Sequence, residues 1–348
     1  MAKSRTAALG VVGAVAAVVL AGCITVAPEA SSSFGQGSAR PACRATVDPA
    51  RVPTDPTPVV VGPGWSDPVE LAAPVTDPCP NDAIAISPDG ATLYFYWAPV
   101  VNGSGADLLA PGVGTYRAER VGDDPGVFGE PTFFALDEGV TSGSSDGELS
   151  FTPDGGSVIF QSARATNLGY NADPPRDDYL DLYAAPLVDG VPGAAEGLGA
   201  PIDTIYLDGE AGLNPDGSRL YVASDRPGGF GALDLWVASR TGTGWGAGAW
   251  GVPVNGGAPL NTAHSELQPA FAADDPNTMY FVSDRDGPSS IYRTTWDGTN
   301  WTVPEMVITG YVGDPSLVAD GSVLYFVQIL VDDAGVFGSN IWYVTRTD

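Results

Sequence analysis

The chain has 348 residues, of which 42 are acidic and 15 basic, so its formal net charge at pH 7 is −27. Because nucleic-acid binding needs a basic surface, this balance excludes that class of function. The chain holds 45 glycines and 31 prolines with 44% hydrophobic and 9% aromatic residues, which excludes a disordered chain and favours short strands joined by tight turns.

Residues 1–22 are predicted to be an export signal. Lys3 and Arg5 form a basic head, and residues 7–20 are an uncharged apolar stretch too short to span a bilayer stably. The next residues, Leu20-Ala21-Gly22-Cys23, resemble the lipobox of bacterial lipoproteins. The resemblance implies lipid on the Cys23 thiol, cleavage before Cys23 and acylation of the new amine. The alternative is an ordinary exported protein with a chance cysteine.

The predicted location is therefore the bacterial cell envelope, with the acyl chains on Cys23 as the membrane anchor. Ile24 follows Cys23, and no Asp stands there to suggest retention at the inner membrane. We expect the outer membrane in a two-membrane bacterium, and otherwise the outer face of the cell membrane.

Residues 23–57 are rich in Ala, Ser, Pro and Gly, which predicts a flexible tether before a domain at 58–348. Cys43 and Cys79 remain after lipidation, and export places them in an oxidising compartment. We expect a disulfide between them, with two independent thiols as the alternative.

Five copies of one pattern follow: a short strand, a Pro-Asp-Gly-like turn and an aromatic-rich strand. Asp-Gly between two alternating apolar runs is a strong hairpin signal, and the spacing of the copies is typical of propeller blades. The copies lie at 83–97, 149–162, 211–224, 269–283 and 315–328.

Two further strands are predicted for each blade. A third strand follows each hairpin, at 114–121, 180–187, 233–240, 289–296 and 340–347. An aromatic-x-x-Pro motif then marks an outer strand, since an edge strand tolerates proline. This motif begins at Trp65, Phe128, Trp250 and Trp301, with a weaker slot at Val191-Pro192.

The order of these motifs predicts how the ring closes. The first outer-strand motif, at Trp65, precedes the first hairpin, and no outer strand follows the last third strand. The fifth blade must therefore take its outer strand from the N-terminal region around 69–71, which removes an open sheet edge. The predicted fold is all-β: a single propeller of five four-stranded blades closed by an N-terminal strand.

Ser-Pro-Asp-Gly followed by an aromatic strand resembles the TolB-type, WD40-like propeller repeat of exported bacterial proteins. The resemblance is strongest at 224–237, where Ser-Asp-Arg-Pro-Gly-Gly-Phe-Gly leads into Leu-Asp-Leu-Trp-Val, and at Pro253-Val254-Asn255. It covers nearly all of the chain after Cys23. TolB has six blades and five are counted here, so a degenerate sixth blade is the alternative.

Acidic residues before the first strand of each blade are the candidate ligand-binding residues at the channel mouth. Five blades would bring these carboxylates together near one end of the channel, where they could bind a cation, a basic group or a sugar. The alternative is structural, with each carboxylate accepting hydrogen bonds from backbone donors. The residues are Asp82, Asp146 with Glu148, Asp208 with Glu210, Glu266, and Asp314.

Other motifs are weaker. Ser224-Asp225-Arg226 and Ser283-Asp284-Arg285 are interpreted as turns, with each Arg stapling its blade to an acid of the neighbouring blade. His264 is the only histidine, which leaves a Ser-His-acid triad or a zinc site little support. An acidic loop carrying Asp173, Asp177 and Asp178 could bind Ca²⁺ but lacks the Gly and distal Glu of an EF-hand. No other cofactor is expected.

Two functions remain open from the sequence. The first is a non-catalytic, lipid-anchored and monomeric propeller that binds an envelope protein or glycan. The second is a glycan-active hydrolase or lyase with carboxylates at the channel mouth, since glycosidases use two carboxylates in a cleft.

Overall fold

The repeated Asp-Gly turn forms four of the five hairpins through local hydrogen bonds, and Asp275-Pro276-Asn277 replaces it in the fourth blade. In the third copy, the Oδ1 atom of Asp216 accepts a hydrogen bond from the Ser218 amide at 2.8 Å, and the Gly217 amide donates to the Asn214 carbonyl at 2.9 Å. Gly217 has a φ of +67°, a conformation that glycine adopts at little cost. The turn therefore returns the chain directly into the second strand.

The computed structural model describes residues 35–44, 50–99, 112–137, 145–164, 166–168 and 180–347. All of its regular elements are strands, and none of the described residues forms a helix long and apolar enough to cross a membrane. The strands up to the second blade are β1 (Val59–Val60), β2 (Val69–Glu70), β3 (Asn81–Ile86), β4 (Thr92–Trp97), β5 (Gly114–Glu119), β6 (Thr132–Phe133), β7 (Ser145–Phe151), β8 (Ser157–Ala163), β9 (Leu180–Val188), β10 (Val191–Pro192) and β11 (Glu196–Gly197).

The remaining strands complete three more blades. They are β12 (Asp208–Leu213), β13 (Arg219–Ser224), β14 (Asp234–Ser239), β15 (Val254–Asn255), β16 (Glu266–Phe271), β17 (Thr278–Ser283), β18 (Ser290–Thr295), β19 (Glu305–Thr309), β20 (Val312–Leu317), β21 (Val323–Asp332) and β22 (Gly335–Thr345).

These strands form five antiparallel sheets, one for each predicted blade, so the five-bladed propeller is confirmed. The sheet orders are β3-β4-β5-β6, β7-β8-β9-β10 with β11 also on β9, β12-β13-β14-β15, β16-β17-β18-β19-β1 and β20-β21-β22-β2. Strand β1 was not expected. It pairs outside β19, so the fourth blade has a fifth strand.

The N-terminal strand closes the ring as predicted. Val69 pairs with Tyr343 and Glu70 with Trp342, so β2 is the outer strand of the fifth blade. An isolated bridge between Trp65 and Arg346 continues this pairing. The last blade therefore combines the two ends of the domain.

The core lies between neighbouring blades. Between blades three and four, the ring of Tyr221 lies 5.3 Å from that of Phe271 and 6.2 Å from that of Trp301. Between blades one and five, Phe128 packs edge-on against Tyr325 at 6.1 Å. Such aromatic pairs bury large apolar areas, so each blade is stabilised by the next.

The two ends of the ring differ. We name the end with the five turns between first and second strands the hairpin face. The opposite end, where the first strands begin, is the crossover face.

The described part of the predicted tether lies against the propeller: the Gly37 amide donates a hydrogen bond to the Phe133 carbonyl, and Arg51 pairs with Asp332. Cys43 and Cys79 form a disulfide with their Cα atoms 5.6 Å apart.

Candidate functional site

A β-bulge interrupts the first strand of every blade. In each bulge one residue other than glycine has a left-handed backbone, with φ between +49° and +54°. A bulge re-aims a side chain relative to a regular strand, and here it turns one side chain per blade toward the channel. The five bulge residues are Ala83, Glu148, Glu210, Gln268 and Asp314.

Three of these bulge residues form a cluster of carboxylates on the channel axis. Glu148, Glu210 and Asp314 each offer one oxygen atom, and these atoms lie within 4.8 Å of one another. Glu210 and Asp314 are buried, with 2% and 1% of their surface exposed, while Glu148 is partly exposed. We call these three residues the carboxylate cluster.

Amide groups hold the carboxylate cluster in place. Gln268 of blade four accepts a hydrogen bond from the Asp314 amide at 2.8 Å, and its Nε2 donates to the Asp314 and Glu148 carboxylates. The Glu210 amide donates to Oε1 of Gln161 at 2.8 Å. The cluster is thus positioned by side chains from several blades.

Burial and mutual repulsion shift the acidity of the cluster. Burial, followed by the negative charge of Asp314, raises the pKa of Glu210 to about 7. The same two causes, followed by the charge of Glu210, raise the pKa of Glu148 well above its ordinary value. Asp82, also buried, has its pKa raised by burial first and then by the charge of Asp314. These carboxylates therefore resist being charged together.

A funnel leads from the hairpin face to the carboxylate cluster. Its volume is about 570 Å³, and Glu148 and Gln268 line it together with residues of the Asp-Gly turns such as Pro153 and Asn214. Its walls combine polar groups and apolar side chains in about equal parts, and the apolar side chains of the first strands include Ile86, Phe151, Leu213, Phe271 and Leu317. A cavity of this volume can hold a small ligand or one part of a larger ligand.

The first strands approach each other closely around the channel. A Cβ atom on Gly212 would lie 2.0 Å from the Pro269 carbonyl oxygen of the next blade. The Leu213 amide donates to Oγ of Ser150 at 3.0 Å, and the Ile86 amide donates to Oγ of Ser316 at 2.9 Å. These contacts fix the shape of the channel.

The seven acidic residues predicted for one ring lie at different depths along the channel. Asp314 belongs to the carboxylate cluster, and Asp82 lies beside Asp314. Asp146, Asp208 and Glu266 instead stand two residues before the bulge, where each accepts hydrogen bonds from a Ser and an Arg of the same blade. Glu148 and Glu210, predicted together with Asp146 and Asp208, reach the channel and belong to the carboxylate cluster.

Each of these three acids is part of a structural staple on the crossover face. Nη2 of Arg226 lies 2.5 Å from Oδ1 of Asp208 and donates to the Ile202 carbonyl at 2.6 Å. Arg285 makes the equivalent bonds to Glu266 and to the Leu260 carbonyl. Arg226 and Arg285 therefore pair with an acid of their own blade, not of the neighbouring blade as expected, and bind the crossover from the previous blade through a carbonyl. Arg164 of blade two pairs both with Asp146 of its own blade and, at 2.7 Å, with Asp137 in the crossover from blade one.

The other candidate residues lie apart from the funnel. His264 is half exposed, and its Nδ1 is 3.8 Å from Oδ1 of Asp284. Asp173, Asp177, Asp178 and Cys23 fall outside the described residues.

Similarity to known proteins was found among solved structures. TolB from Acinetobacter baumannii is 14% identical, with 78% of this chain and 55% of that chain covered and a TM-score of 0.41. An α-L-arabinofuranosidase from Lactobacillus brevis is 12% identical, covering 78% and 92% of the two chains with a TM-score of 0.46. An exo-β-1,3-galactanase from Phanerochaete chrysosporium is 10% identical, covering 82% and 64% with a TM-score of 0.47.

This chain thus spans about half the length of the TolB chain. No protein-family profile and no curated protein matches it. The strand order of the five sheets defines the fold as a propeller.

Proposed function

We propose that this protein is a non-catalytic binding propeller, tethered to the bacterial envelope by lipid on Cys23, that receives an envelope protein or glycan in its funnel. The observation that carries this proposal is the funnel itself, a cavity with both apolar and polar walls that opens between the hairpin turns. Such cavities are the usual sites of ligand binding. The net charge of −27 favours a basic partner, because complementary charge speeds association.

The path of the chain supports a tether and a funnel at opposite ends of the propeller. The first strand of each blade runs from the crossover face to the hairpin face, and alternate strands reverse, so β6 ends at the crossover face. The Ala135 amide, just after β6, donates to Oε1 of Gln36 at 2.7 Å. A tether from Cys23 would therefore reach the domain at the crossover face. The funnel would then point away from the membrane.

A glycan-active enzyme is the second candidate, favoured by the raised pKa of Glu210, since glycosidases use a carboxyl group of raised pKa as general acid. That chemistry needs two carboxyl groups that contact the substrate. In the carboxylate cluster Glu148 lines the funnel, whereas Glu210 is 2% exposed and does not line it. This burial supports binding over hydrolysis.

Binding measurements with a funnel variant test the proposal. The soluble chain from residue 35 onward would be immobilised and exposed to purified envelope proteins and to envelope glycans. We expect saturable binding that Phe151→Arg, in the funnel wall, weakens at least about tenfold, whereas Val303→Arg, at an exposed position, has no effect. Equal binding by both variants would contradict the proposal. Release of sugar that Glu148→Gln abolishes would favour the hydrolase.

A further inference from the structure

The carboxylate cluster joins three blades at the axis of the ring. Glu148 belongs to blade two, Glu210 to blade three and Asp314 to blade five. Gln268 of blade four contacts two of them, so four of the five blades meet there. Their ligand atoms are all oxygens, the type that hard divalent cations prefer.

The cluster contains negative charge that the described residues do not compensate. Oε2 of Glu210 is buried and has no hydrogen-bond partner among them, and the same is true of Oδ1 of Asp82. The three arginines of the staples on the crossover face are engaged elsewhere. Arg164, Arg226 and Arg285 pair with Asp146, Asp208 and Glu266 at the staples. Buried charges without a partner are costly, so a proton or a cation is required here.

The geometry points to one Ca²⁺ ion bound by Glu148, Glu210 and Asp314. Ca²⁺ binds oxygen atoms at about 2.3–2.6 Å, so ligands on opposite sides of the ion stand about 4.8 Å apart. The cluster oxygens lie within this distance of one another. Mg²⁺ requires a tighter octahedron at about 2.0–2.1 Å, which suits side chains from separate blades less well.

The surrounding groups complete the site. The unpartnered Oε2 of Glu210 is available as a ligand, and the Gln268 amide orients the Asp314 and Glu148 carboxylates. Water from the funnel can fill the remaining positions, because Glu148 lines its inner end. The ion would hold the blades together at the axis, whatever ligand the funnel binds.

Equilibrium dialysis tests this site. Chelator-treated protein from residue 35 onward would be dialysed against Ca²⁺, and the bound metal measured by emission spectrometry. We expect about one Ca²⁺ per chain for the wild type and for the control Glu130→Gln, an exposed position, and almost none for Glu210→Gln or Asp314→Asn. Mg²⁺ should bind at least about tenfold more weakly.

Several results would overturn the inference. The first is that the wild-type protein binds no Ca²⁺. This result can be interpreted without any variant. The second is Glu210→Gln protein that binds as much as wild type, which would place the ion elsewhere, for example at the loop with Asp173. Circular dichroism verifies that each variant is folded. Should Glu210→Gln not fold, Glu148→Gln, at a partly exposed position, replaces it and must lose Ca²⁺ in the same way.

Thermal unfolding gives a second readout. Saturating Ca²⁺ should raise the melting temperature of the wild type and of Glu130→Gln, because a ligand that binds the folded state stabilises it. Glu210→Gln should melt higher than wild type in chelator, since it lacks one buried charge, and should not respond to Ca²⁺. An equal Ca²⁺ response in wild type and Glu210→Gln would contradict the site.

Discussion

Val69 pairs antiparallel with Tyr343, which joins the first part of the domain to its last strand. Through this pair β2 supplies the outer strand of the fifth blade, and the sheet has no open edge there. Open edges promote aggregation and attack by proteases. The pairing therefore makes a specific prediction about truncation.

We expect deletion of residues 58–71 to open the ring. This deletion removes β1 and β2 and exposes the edge of β22 with its apolar face. Size-exclusion chromatography should show aggregation, and limited proteolysis should cut within blade five. Deletion of residues 24–34 is the control and should change neither property. A monomeric, protease-resistant product of the longer deletion would contradict this account of closure.

The staple between Arg226 and Asp208 should contribute strongly to stability. Asp208 is fully buried, so Arg226→Ala would remove the positive charge that pairs with it, at a cost of up to about 3–5 kcal/mol. Thr204 and Ser224 would still donate hydrogen bonds to the Asp208 carboxylate. The control is Arg293→Ala, whose partner Glu305 is 70% exposed, and which should cost no more than about 1 kcal/mol. Urea unfolding measures both changes. Equal losses of unfolding free energy in Arg226→Ala and Arg293→Ala would contradict a large contribution of the staple to stability.

The raised pKa of Glu210 predicts how stability depends on pH without metal. The folded pKa of about 7 exceeds the ordinary value of 4.5, so the folded state binds more protons between these values. The stabilisation by this proton is complete below about pH 4.5 and is lost as the pH rises through 7. This shift in the pKa of Glu210 corresponds to roughly 3 kcal/mol of unfolding free energy.

Unfolding in chelator from pH 5 to pH 8 measures this dependence. The wild type should lose stability over the range, and Glu210→Gln should lose less. A wild-type protein that gains stability toward pH 8 in chelator would be incompatible with a cluster that resists charging. Added Ca²⁺ should reduce the loss, because metal replaces the protons.

Lipidation can be tested at Cys23. Cys23→Ala should leave the precursor unprocessed or release the protein into the soluble fraction, since the thiol is the expected site of the acyl chains. Cell fractionation and mass spectrometry of the N-terminal peptide give the answer. Ser32→Ala is the control, a substitution in the same segment that leaves the lipobox intact. Normal processing and membrane association of Cys23→Ala would exclude the lipid anchor.

The sequence predicted the parts of the fold that depend on local chemistry. The Asp-Gly turns could be recognised because they fix a hairpin within a few residues, and the motif at Trp65 revealed ring closure because it lay out of order. Strand β1 could not be predicted, since two valines carry no periodicity. They become a strand only because the edge of β19 is available.

The site was predicted only in part. In a regular strand, residues two apart point to the same side, so Asp146 and Glu148 were expected together. The bulge at Glu148, with φ of +51°, separates them, and Asp146 bonds Ser162 while Glu148 enters the cluster. A bulge depends on the partner strand and on neighbouring blades, so the sequence of one strand does not reveal it.

The funnel on the hairpin face is the proposed binding site of the partner. Site-specific photo-crosslinking in cells tests it most directly, with the crosslinking amino acid placed at Phe151 or Phe271 in the funnel wall and at the exposed Val303 as control. We predict one discrete crosslinked species, protein or glycan, from both funnel positions and none from Val303. Crosslinks that form at Val303 but at neither funnel position would contradict the account.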